Sequence, residues 1–184
     1  MANTSRLIGF TPTKHLNGAK YNGQANIYEI PDGNTTPVFI GDLVILGGDS
    51  TDYYPSVIRM GASGEVTSNA AAHPVGAVVG FVMATAVGTA LDVPIYRAAS
   101  TKRFVLVADS PDLLFEVQDG GTVPCTLALL GSNTGVQCTA GDTVTGLSKM
   151  TTGNTTPTTT VTLPLQILGI INRPDNATAT AGAA

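Results

Sequence analysis

Punctuation constrains this chain more than any other feature. Apolar, β-branched runs recur along it, and each is soon broken by Gly, Pro, Asn or Asp. A helix needs apolar residues at spacings of three and four over roughly ten residues or more. No segment sustains that pattern. Short runs of Val, Ile and Thr bounded by turn residues read instead as strands. "ANIYEI" (25–30) is the first. "VFIGDLVILGG" (38–48) is a second, broken at Gly41-Asp42 by a bulge or tight turn. "PSVIRM" (55–60) follows. "PVGAVVGFVMA" (74–84) and "LDVPIYRAA" (91–99) read as two strands joined near Gly88, with Pro94 marking an edge or bulged strand. "KRFVLVAD" (102–109) and "LLFEVQD" (113–119) flank the turn "SPD". "VPCTLALLGSNTG" has room for one short helical turn. "GVQCTAGDTVTGLS" and "TTTVTLPLQILGIIN" supply the last strands, while "MTTGNTTPTTT" (150–160) reads as an exposed loop. The expectation is an all-β fold: a small β-sandwich, jelly-roll-like or barrel body.

With 184 residues, one domain is expected. Charged residues make up 12% of the chain, against roughly 25% in typical domains. So bland a surface suits a protein whose faces end up against other subunits, or an extracellular β-domain with a polar, uncharged exterior. Net charge is −4 and the pI about 4.9, without clustered Lys or Arg. Counterion-driven binding to nucleic acid is therefore not expected. The longest apolar stretch (74–91) is too broken by Gly and Thr to span a membrane, and "MANTSRLIGF" lacks the apolar core of a signal peptide. The reading is a soluble protein made in the cytosol.

Little in the sequence points to chemistry. "VILGGDS" (44–50) superficially resembles an esterase nucleophile strand, but no histidine follows His73 to serve as its base. Asp109 and Asp112 flank Pro111 and read as turn caps. Cys125 and Cys138 read as buried free thiols, with a single disulfide open to them in an oxidising environment. No metal, cofactor or enzymatic activity is expected.

The opening 24 residues differ from the rest. Arg6, Lys14 and Lys20 occur before the first acid, Glu29, and the isolated apolar residues follow neither strand nor helix period. No regular element is expected there. Such a segment is solvated or covered by a partner. Extended, residues 2–24 reach at most about 75 Å. The chain thus divides into an extended arm (1–24), a β-rich body (25–175) with its own strands and core, and a flexible tail (176–184).

Several stretches together resemble the cement, or decoration, proteins of tailed-phage capsids. They are "RLIGFTPTKHLNGAKYNGQANIYEIP" (6–31), "FIGDLVIL" (39–46), "VGAVVGF" (75–81), "YRAASTKRFVLVADSPDLLFEVQ" (96–118) and "LPLQILGIINRPDN" (163–176). The resemblance spans most of the chain in collinear order. It implies a structural virion protein on the outer capsid surface, made in the host cytoplasm. Its partners would be the major capsid protein and two copies of itself in a homotrimer. The arm would carry the capsid contacts, through Arg6, Phe10, Lys14, His15, Leu16, Lys20 and Tyr21. The competing expectation is a receptor- or glycan-binding virion surface domain. The absence of Trp and the 5% aromatic content weigh against it.

Overall fold

The computed structural model describes residues 5–61, 64–66, 73–82, 94–121, 125–153, 156–159, 161 and 163–171. The expected junction near Gly88 and the expected tail lie outside them.

The strands are β1 (Thr11–His15), β2 (Asn26–Ile30), β3 (Val38–Phe39), β4 (Leu43–Leu46), β5 (Val57–Arg59), β6 (Gly64–Val66) and β7 (Gly76–Val82). They continue with β8 (Tyr96–Arg97), β9 (Arg103–Ala108), β10 (Leu113–Glu116), β11 (Asn133–Thr134), β12 (Val136–Cys138), β13 (Thr151–Thr152) and β14 (Leu165–Gln166). One turn of 3₁₀ helix, Leu127–Leu129, falls where a short helical turn is expected. The fold is all-β.

Its centre is a five-stranded antiparallel sheet in the order β2-β9-β7-β4-β5. The sheet curls until its edges meet. Glu29 of β2 and Ser56, just before β5, form a parallel bridge, and the Glu29 amide donates to Pro55 O at 3.0 Å. The concave face gathers Tyr28, Ile30, Val38, Val44, Val57, Val78, Phe81, Val105 and Val107 into one core. Alternation along β4 sends Val44 inward and Leu43 to the other face. In β7, Val78 and Phe81 share the inner face although three residues apart. A bulge between Val78 and Gly80 adds the residue that resets the alternation.

A second layer covers the outer face. Leu43, Met60 and Ala77 meet Phe10, Val136, Cys138 and Met150 there, with Phe115, Val117 and Leu165 at the margin. β12 pairs with β13 and β6. Asp42 ties the layers together. Its Oδ2 accepts the Phe39 amide and Arg59 Nε, both at 2.9 Å, and its Oδ1 accepts the Ser148 hydroxyl at 2.6 Å. The Arg59 guanidinium also donates to Thr139 O. A buried carboxylate with three donors is a satisfied structural group.

Three expectations need correction. The lead is not without regular structure, because β1 forms within it. Nor is it separate from the body's core. Phe10 is 3% exposed and packs among the second-layer residues, because its amide donates to Gly41 O at 2.9 Å and draws the lead onto the turn. The supposed loop 150–160 begins inside the protein. Met150 and Thr151 are buried, and β13 pairs with β12. The strand after Pro94, β8, pairs with β3 in a separate two-stranded ribbon and is an edge strand, as expected.

Candidate functional site

The lead folds as a hairpin laid along the edge of β10. Thr11, Pro12, Lys14 and His15 oppose Glu116, Phe115, Leu114 and Leu113, with an irregularity between Pro12 and Lys14. That skipped residue breaks the period and hides β1 from a pattern reading. After His15 the chain reverses. The Gly18 amide donates to His15 O at 2.9 Å, His15 N to Ala19 O at 2.8 Å, and Tyr21 N to Thr13 O at 3.0 Å. Gly18 has φ +87°, which glycine adopts without steric cost. The Asn17 side chain accepts the Ala19 amide, closing an Asx turn.

This reversal places Lys14 directly opposite Lys20. Both are exposed, and Leu16 between them is 63% exposed. Two like charges across an antiparallel pair oppose hairpin formation. The hairpin is held instead by its attachment to the body. The Leu16 amide donates to Asp112 O at 2.8 Å, the Thr13 hydroxyl to Leu114 O at 3.1 Å, and His15 Nδ1 lies 3.0 Å from Asp112 Oδ1.

Of the residues expected to carry partner contacts, the structure gathers Lys14, His15, Leu16, Lys20 and Tyr21 on this hairpin. His15 and Tyr21 are half-buried, and the Tyr21 hydroxyl donates to Gln24 O. Arg6 is exposed but sits apart, where its amide donates to Gln118 Oε1 at 2.6 Å. Phe10 does not belong to the set. It is a core residue, turned inward by the Gly41 contact.

Ser110, Asp112 and His15 form a chain of polar contacts, but not a nucleophilic one. Ser110 Oγ donates to Asp112 Oδ1 at 2.5 Å, and His15 contacts that same oxygen. The carboxylate, not the imidazole, is central, so no base draws the proton from the hydroxyl. The Ser110 hydroxyl foremost, and then His15, hold the Asp112 carboxyl below the usual range. Asp109 serves elsewhere. It accepts the Tyr28 hydroxyl at 2.6 Å and the Asn26 amide nitrogen at 3.0 and 3.1 Å. Burial, then the bond to Asp109 and its charge, push the Tyr28 phenol up to about 12.

Sequence reading missed two further buried charges. Arg97 donates to Thr101 O, Thr36 O and Pro31 O at 2.7–2.8 Å, clamping the loops around β3 and β8. Glu29 is fully buried at the sheet seam, bonded to Thr51 and 3.1 Å from Lys102 Nζ. Neither has a local sequence signal, since their partners, apart from Thr101 for Arg97, lie far along the chain.

Cys138 is buried and Cys125 half-buried, and both thiols are free. Burial pushes the Cys138 thiol up to about 11. Among the described residues, no three His, Cys, Asp or Glu side chains converge as a metal site, and no helix is long and apolar enough to cross a membrane. No family model, curated protein or solved structure matches the chain.

Proposed function

We propose that this chain is a structural virion protein that binds the outer surface of a tailed-phage capsid and stabilises the shell. The observation that carries the reading is the hairpin surface of Lys14, Leu16 and Lys20. Its two lysines repel each other in the isolated chain, and an acidic partner surface would relieve that repulsion. The exposed leucine between them, 63% open, adds an apolar contact of about 1–2 kcal/mol if that open surface is covered.

A ligand that binds only the assembled shell stabilises it by mass action. Self-association as a homotrimer would present three hairpins at once. Avidity then exceeds single-site affinity by roughly 10²–10⁴. An exposed apolar region supports the self-association. The Gly131 amide donates to Ile167 O at 2.8 Å, and Leu127, Leu130, Leu168 and Ile171 are all exposed around this junction. The run "LPLQILGII", apolar enough for a core strand, thus stays largely at the surface of the single chain.

The test is cosedimentation with empty capsid shells of the phage that carries this chain, together with the melting of those shells. Saturable decoration and a raised shell melting temperature are expected. Undecorated shells, or decorated shells that melt like bare ones, would count against the reading. Light scattering on the free protein should return a trimer mass, and a stable monomer would remove the avidity argument.

A further inference from the structure

We infer that the groove between β2 and the 50–56 loop is a binding site for a neutral saccharide, independent of any shell contact. The groove has a volume of about 530 Å³ and is lined by Ala25, Asn26, Ile27, Tyr28, Tyr54 and Pro55. That size lies within the range of small-molecule clefts, roughly 300–1,000 Å³.

Its lining combines an aromatic plate with fixed polar groups and no charge. Tyr54 is 41% exposed, and its ring packs against Phe104, edge to face, with centroids 5.4 Å apart. A packed, half-exposed tyrosine offers a flat apolar surface at little entropic cost, suited to the C–H face of a pyranose. At one end Asn26 Nδ2 is held by the Asp109 carboxylate. This orients the amide and leaves its Oδ1 to accept from a ligand hydroxyl. The Tyr28 hydroxyl is committed to the same carboxylate, which fixes the far wall.

The backbone supplies the third element. Glu29 sends its amide to Pro55 O, away from β9, so it belongs to a non-hydrogen-bonded pair of that ladder. Two residues earlier, Ile27 shares that parity, so its N–H and C=O face the groove. One donor and one acceptor beside an aromatic plate match vicinal sugar hydroxyls, each of which both donates and accepts. The same geometry disfavours an added peptide strand. Within β2, Ile27 alone shares this parity before the Pro55 contact at Glu29 closes the edge, and strand addition draws its affinity from a run of such pairs. The Asp109 carboxylate behind Asn26 disfavours an anionic ligand.

The experiment is amide-shift titration of the ¹⁵N-labelled full chain with maltose, lactose and N,N′-diacetylchitobiose, run beside a broad array of immobilised glycans. Glycerol and an alternating Val-Thr pentapeptide serve as controls. A saturable shift confined to Asn26, Ile27, Tyr54 and their neighbours is expected with at least one sugar. Tyr54→Phe should retain it. Tyr54→Ala should weaken it at least about tenfold, a difference of about 1.4 kcal/mol. Should Tyr54→Ala fail to fold, Asn26→Ala, exposed and outside the core, carries the same expectation of weakened binding. Silence from every sugar and from the array would overturn the proposal. So would equal shifts with glycerol, which would mark an adventitious additive only, or a response to the peptide alone. None of these outcomes bears on shell decoration, which is read with capsids.

Discussion

A β-carbon on Gly9 would stand 2.4 Å from the carbonyl oxygen of Gly41. The two glycines cross with positive φ, +70° and +91°, and their contact seats the N-terminal lead on the turn between β3 and β4. Gly9→Ala therefore meets two costs: left-handed backbone of about 1–2 kcal/mol and overpacking of about 1–3 kcal/mol. Gly18 is the internal control. Its φ is +87°, but a β-carbon there would have nothing within 4 Å, so Gly18→Ala meets only the backbone cost. Urea unfolding should rank Gly9→Ala as clearly the more damaging. Equal losses would mean that the lead does not pass so close to the turn.

Phe10 separates folding from binding within the same segment. Phe10→Ala opens a cavity in the second-layer core and should cost about 3–5 kcal/mol. Leu16→Ala removes an exposed side chain and should leave stability within about 0.5 kcal/mol. On the proposed function, Leu16→Ala nonetheless lowers shell occupancy. Deleting residues 2–24 mixes the two effects, so a deletion that fails to decorate shells says little unless its fold is checked by circular dichroism and calorimetry.

How much of this was legible follows from where each strand finds its partners. β2, β4 and β9 lie in the central sheet, so their apolar residues cluster in sequence and stand out. β1 does not, because its partner β10 is about a hundred residues away and the irregularity near Thr13 breaks its period. Phe10, a lone aromatic among turn residues, showed nothing of its burial. The glycine pair that buries it is visible only in three dimensions. Thr151 sits in a Thr-rich tract that looks like a loop, yet two residues of β13 suffice to bury it against β12. The basic residues of the lead were legible as charges, while the pairing of Lys14 with Lys20 was not.

Acid should test the contact between the hairpin and the body. Asp112 has its folded pKa depressed, chiefly by the Ser110 hydroxyl and then by His15. A carboxyl of this kind adds stability above its unfolded pKa and loses it as pH falls through the folded value. Ser110→Ala should raise the folded pKa towards the ordinary carboxylate range. The variant should then be less stable than the wild type near neutral pH, and the gap should close once the pH is taken below the folded value. Carbon-detected titration of the Asp112 carboxyl, with urea unfolding at the two pH values, reads both effects. An unmoved titration in Ser110→Ala would show that the hydroxyl does not hold the carboxylate.

The sharpest test of the proposed function reverses the two lysines. Lys14 and Lys20 repel across the free hairpin, so Lys20→Glu replaces a like pair with an opposite one. That change should leave the fold intact and stabilise the hairpin slightly, by roughly 0.2–1 kcal/mol. If the hairpin meets an acidic shell surface, the same substitution must weaken decoration, because it removes one attraction and adds a repulsion. Stability and binding then move in opposite directions, which a merely structural role for the lysines does not produce. A single exposed pair is worth only about 0–1 kcal/mol, so the double variant Lys14→Glu/Lys20→Glu is the stronger form. It restores like-charge repulsion in the hairpin while reversing both partner contacts. Wild-type decoration should fall as salt rises from about 50 to 500 mM, since exposed charges are screened beyond a Debye length of about 10 Å at 0.1 M. The double variant should bind weakly at low salt and show no such fall, because the repulsion it introduces is itself screened as salt rises. Decoration by the double variant at wild-type occupancy, with the wild-type response to salt, would remove the hairpin from the interface.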